Sequence, residues 1–170
     1  MVMGDRWGVS DAETRLHYGC DDFVGNPSLE AWRGVTVHAT PDEVWARVRQ
    51  VRIAPYSYDL VDNLGRRSPG ELRDVPEPVV GEPFTKAFGR DQGRVVAVEP
   101  GRELTAWITG AHMSYVVVPA GSQTRLLLKV VARVHPWLAP LVSVGDLPMA
   151  RKQLLNLKQL AERDHLASGS

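Results

Sequence analysis

The sequence predicts an α+β fold in which an antiparallel sheet curves around one long C-terminal helix. Three observations carry this expectation: a period-two strand that runs straight into a capped helix near residue 40, a series of period-two segments after Gly81, and a final stretch with helical periodicity. Strands and helices are segregated along the chain rather than alternating, which is the α+β arrangement.

Residues 1–28 are polar with weak periodicity and end in Gly25-Asn26-Pro27-Ser28, so they read as an N-terminal arm. The domain is expected over 29–166, with 167–170 as a tail. Trp32 to Ala39 alternates as a strand, Val35 and Val37 on one face and Thr36 and His38 on the other. Thr40-Pro41-Asp42-Glu43 then opens a helix. The threonine caps, proline suits the first helical position, and Glu43 can reach back to complete a capping box. Val44, Trp45, Val48 and Val51 follow on one face, and Ala54-Pro55 stops the helix.

The stretch YSYDLVDNLGRRSP, Tyr56 to Pro69, reads as a short second helix capped at Gly65, with Ser68-Pro69-Gly70-Glu71 repeating the capping-box pattern. Capping and turn chemistry account for most of its polar residues, so it is scaffold first and cavity wall second. In the cavity reading, Tyr56, Tyr58 and Asp62 stand at a pocket mouth. Beyond Gly81, strands are expected at Pro83 to Gly89, Arg94 to Val98, Glu103 to Thr109, His112 to Pro119 and Thr124 to Val134. In the last, Leu126, Leu128, Val130, Ala132 and Val134 share one face while Lys129 and Arg133 take the outer one. The long helix is expected from about Leu147 to Asp164, with Leu147, Ala150, Leu154, Leu157 and Ala161 as its buried stripe.

Composition narrows the function. The 170 residues are 44% hydrophobic and 24% charged with a formal net charge of +0, so no basic surface calls for nucleic acid. One cysteine, Cys20, excludes an internal disulfide and agrees with a cytoplasmic protein. No segment reads as a signal peptide or a membrane span; LLLKVVARV is broken by Lys129 and Arg133. The motifs GxSxG, GxGxxG, GxxxxGK and HExxH are missing, and neither cofactor nor metal is expected.

The segments VTVHATPDEVWARV, EPGRELTAW, GSQTRLLLKV and DLPMARKQLLNLKQLAE, in that order from Trp32 to Asp164, resemble the START-like superfamily, also called SRPBCC or helix-grip. The likeness is closest to its polyketide cyclase/dehydratase-like branch, of which APYSYDLVDNLGRRSPGEL looks like a subgroup signature. The resemblance implies a cavity between sheet and long helix that holds a hydrophobic or amphipathic small molecule. The polar residues of catalytic cyclases do not match residue by residue. The histidine-rich iron site of oxygenase relatives has no counterpart in the scattered His17, His38, His112, His135 and His165.

The cavity candidates are Trp45, Phe84, Phe88, Trp107, Tyr115, Leu128, Leu154 and Leu157, with Tyr56, Tyr58, Asp62 and His112 as polar contributors. Core packing is the competing reading for each apolar member, and alternation leaves the facing of Trp107 and Tyr115 open. Ligand binding is the leading expectation. The rivals are a cyclase or dehydratase moving protons with Tyr58, Asp62 or His112, and a protein-interaction module. Oligomeric state is not legible.

Overall fold

The computed structural model describes residues 5–53, 70–87, 90–133 and 139–169. In chain order the elements are β1 (Arg6–Trp7), α1 (Asp11–Thr14), a 3-10 turn (Gly19–Phe23), β2 (Leu29–Val37), α2 (Pro41–Gln50), β3 (Pro83–Ala87), β4 (Arg90–Glu99), β5 (Glu103–Ile108), β6 (Ala111–Ala120), β7 (Gln123–Ala132) and α3 (Ala139–Ser168). The strands form one curved sheet in the order β1-β2-β7-β6-β5-β4-β3, antiparallel except for the parallel β1–β2 pair. The short helix expected from Ser57 and the turn at Ser68 lie outside the described residues.

Local signals decide several of these boundaries. Thr40 Oγ1 accepts from the Glu43 N–H and the Glu43 carboxylate accepts from the Thr40 N–H at 2.8 Å, the expected capping box. The β5–β6 hairpin turns on Thr109 (φ 46°) and Gly110 (φ 86°), two positive angles whose twist matches that of the flanking strands. An irregularity in register between Val95 and Ala97 adds to the curl of β4 against β5.

On the concave face lies the main core. Ala150, Leu154, Leu157 and Ala161 are all buried there, as the stripe predicts, against Val35, Phe84, Leu104, Tyr115, Leu126 and Leu128. α2 packs on the far part of α3. There Arg47, fully buried, donates from Nε and Nη2 to the two Asp164 carboxylate oxygens at 2.6 and 2.8 Å. α3 itself begins eight residues before the expected Leu147 and runs past Asp164 to Ser168. Pro140 falls in its first turn, where a missing N–H costs nothing, and the local start signal at Asp146-Leu147-Pro148 is overridden.

The first 28 residues differ most from their appearance in sequence. From residue 5 they are built onto the convex face of the sheet and its β2 edge. Tyr18 and Cys20 are fully buried against Trp32, Val116, Leu127 and Val131. Glu13 binds Arg125 at 2.7 and 3.0 Å, and the Cys20 N–H donates to Ser114 Oγ at 2.8 Å. Gly34 permits this docking: a β-carbon there would sit 2.9 Å from Val9 Cγ1 and 3.0 Å from the Gly8 carbonyl.

Lys129, assigned from its parity to the outer face, is on that face but buried beneath the arm. Its ammonium meets Asp21 at 2.5 Å and Glu30 at 3.1 Å and lies 4.8 Å from the centre of the Trp32 ring. Burial by itself would lower the Lys129 pKa, but the hydrogen bonds and charges of Asp21 and Glu30 outweigh it and raise the pKa above the ordinary lysine value.

Candidate functional site

Among the described residues the concave face is largely apolar, with a tyrosine–glutamine pair set into it. Alternation along β6 sends Met113, Tyr115 and Val117 inward, opposite the stripe of α3. Tyr115 is buried, its ring 6.2 Å from that of Phe84, and its hydroxyl donates to Gln153 Oε1 of α3 at 2.6 Å. Met113 Sδ lies 3.8 Å from the same hydroxyl. Burial is graded along this face. Around Leu154, Leu157 and Ala161 it is closed, whereas Ile108, Ala111 and Met113, beside the β5–β6 turn, are only partly buried. The face therefore combines apolar area with a donor–acceptor pair near that turn.

The candidates divide by strand parity. Tyr115, Phe84, Leu128, Leu154 and Leu157 all face the concave core. Trp45 does too with its ring, while its Nε1–H donates to the Glu77 carboxylate at 3.1 Å at the edge of the core. Tyr56, Tyr58, Asp62 and Phe88 lie outside the described residues.

Trp107 and His112 do not face the concave core. They pair across β5 and β6 with Tyr115 on the opposite parity, so both point to the convex side. Trp107 is 41% exposed, and His112 stacks on Phe23 of the arm with ring centres 5.1 Å apart. Alternation alone gives two faces without saying which is concave, and His112, offered as a polar contributor to the cavity, lies on the convex one. Gln153 was missed because a glutamine beside an apolar stripe carries no periodic signal of its own.

Burial holds the His112 pKa below the ordinary imidazole value, and its Nδ1 is buried without a hydrogen-bond partner. The unfolded chain therefore takes up the proton first as pH falls. The expected result is an NMR titration midpoint for His112 below about 6.5, with stability declining from that pH down through the midpoint. A midpoint above 6.5 would mean that a carboxylate, rather than burial, governs this ring.

Among the described residues, no group of three His, Cys, Asp or Glu side chains is placed to hold a metal, and no helix is long and apolar enough to cross a membrane. Burial pushes the Cys20 thiol up to about 12, which keeps it from being a ready nucleophile at neutral pH.

No protein-family model matches the chain, and no curated protein matches it in sequence. Solved structures do match in fold. A protein from Mesorhizobium loti superposes with a TM-score of 0.53 at 15% identity, over 79% of this chain and 97% of the other. A protein from Nitrosomonas europaea gives 0.51 at 14% identity, over 81% and 96%. An AHSA1-like protein from Rhizobium etli gives 0.50 at 14% identity, over 79% and 82%. Together with the curved sheet and long C-terminal helix, these likenesses identify the fold as the helix-grip fold.

Proposed function

We propose that this protein binds a hydrophobic or amphipathic, ring-containing small molecule between the sheet and α3. The Tyr115–Gln153 hydrogen bond carries this reading, because it sets a strand-to-helix polar pair into a largely apolar face that is incompletely closed near Ile108, Ala111 and Met113. Apolar contact contributes ~25 cal/mol per Å² with little discrimination. A guest hydroxyl or carbonyl that exchanges bonds with Tyr115 or Gln153 adds direction, since leaving such a buried group unpaired costs about 1–3 kcal/mol. Binding is favoured over a cyclase or dehydratase activity because His112 faces away from the interior.

The test is a thermal-shift screen of ring-containing amphiphiles, plain alkanes and sugars, together with mass spectrometry of whatever co-purifies with the native protein. Ring amphiphiles are expected to raise the melting temperature most. Tyr115→Phe, which keeps the ring, is expected to weaken the best of them by about tenfold, equivalent to ~1.4 kcal/mol. Stabilisation by sugars alone, or unchanged affinity in Tyr115→Phe, would overturn the proposal.

A further inference from the structure

On the convex face, away from α3, the arm leaves a cleft of about 490 Å³ between Leu16–Tyr18, the β4–β5 turn and the outer end of β6. This volume is in the range of small-molecule sites. Its walls include Leu16, Val118 and Pro119. Its polar groups are unequal. Arg102 is occupied by Glu99, to whose two oxygens it donates at 3.1 Å, and His17 lies 3.2 Å from Asp22. Glu103 is different. Its Oε1 accepts from the Gly19 N–H at 2.5 Å and lies 3.4 Å from Thr105 Oγ1, while among the described residues no cation pairs with its carboxylate.

The surroundings carry the same sign. Arg125 is balanced by Glu13, and Lys129 by two carboxylates, Asp21 and Glu30. Tyr18, which forms one wall, has its phenol pKa raised first by burial and then by neighbouring negative groups that include Glu13, Asp21 and Glu103. The cleft therefore combines apolar walls with an excess of negative charge.

We infer that this cleft is a second binding site, for a small organic cation: an ammonium group on an apolar or aromatic body, with the ammonium on Glu103 and the body against Leu16, Val118 and Pro119. An N–H donated to a carboxylate is among the stronger hydrogen bonds and is stronger still away from bulk water. A neutral analogue keeps the apolar contact and loses that bond. The site lies on the opposite face of the sheet from Tyr115, so it stands or falls independently of the interior one.

The experiment titrates the full chain with benzylammonium and, separately, benzyl alcohol, following backbone amide shifts. Benzylammonium is expected to shift Leu16, Tyr18, Val116 and Val118 saturably and at least tenfold more tightly than the alcohol. Glu103→Gln, which retains an acceptor for Gly19, should abolish that preference. Should the variant not fold, salt gives the same answer on the wild type. Raising ionic strength from about 0.02 to about 0.5 M should weaken benzylammonium and leave the alcohol unchanged. Equal affinity for the two compounds, shifts confined to Ile108, Met113 and Tyr115, or no saturable shift would overturn the assignment, as would salt-insensitive binding of the cation.

Discussion

Leu154→Asp is expected to destabilise the protein by roughly 4 kcal/mol, because it places a carboxylate in a fully buried apolar seam between α3 and the sheet. For a domain of this size that is a fall in melting temperature of roughly 8–16 °C. Leu154→Ala removes the same contacts without adding charge and should cost about 2–5 kcal/mol through the cavity left behind. The comparison with Leu155→Asp supplies the control, since Leu155 is partly exposed on the same turn. A wild-type melting curve for Leu154→Asp would mean that α3 does not pack on the concave face.

The Arg47–Asp164 pair should give the second large effect. Asp164→Ala strips the charge partner from a guanidinium with no exposed surface, and leaves Arg47 one described acceptor, the Gly70 carbonyl at 3.2 Å. Breaking a buried pair from one side costs about 3–5 kcal/mol, whereas replacing both members with apolar residues is often neutral. Asp164→Ala is therefore expected to lower chemical-denaturation stability by about 3 kcal/mol. The double variant Arg47→Met/Asp164→Leu should recover most of it. If the single change were silent, or the double variant lost still more, the ion pair would not be what ties α2 to α3.

Most elements of the sheet were legible because their signals are local. The Thr40–Glu43 capping box lies within four residues, and the period of two along β3 to β7 follows from backbone geometry. The apolar stripe of α3 likewise repeats at helical spacing, so Leu154 and Leu157 could be assigned to the core directly. The site was legible in part. Phe84, Leu128 and Tyr115, all named as candidates, face the concave core, although alternation had left the facing of Tyr115 open; Trp107 and His112 were also named and face the other way.

The start of α3 was misplaced for a related reason. Asp146-Leu147-Pro148 is a good local start signal, but propensity is a weak prior once a helix has a surface to lie on. The arm was unreadable for a stronger one. Its stabilising contacts join residues far apart in sequence: Glu13 with Arg125, Gly19 with Glu103, Cys20 with Ser114, and Asp21 with Lys129.

By itself, then, the sequence determined the kinds and order of the elements, the capped entry to α2, and which residues of β7 and α3 share a face, because helix caps and side-chain periodicity act over a few residues. Only the tertiary structure decided which face of the sheet is concave, that the convex face is also covered, that Lys129 is buried with two carboxylates, and that Gln153 meets Tyr115. Those outcomes depend on docking between distant segments, and the free energy of such contacts is not written in any local pattern.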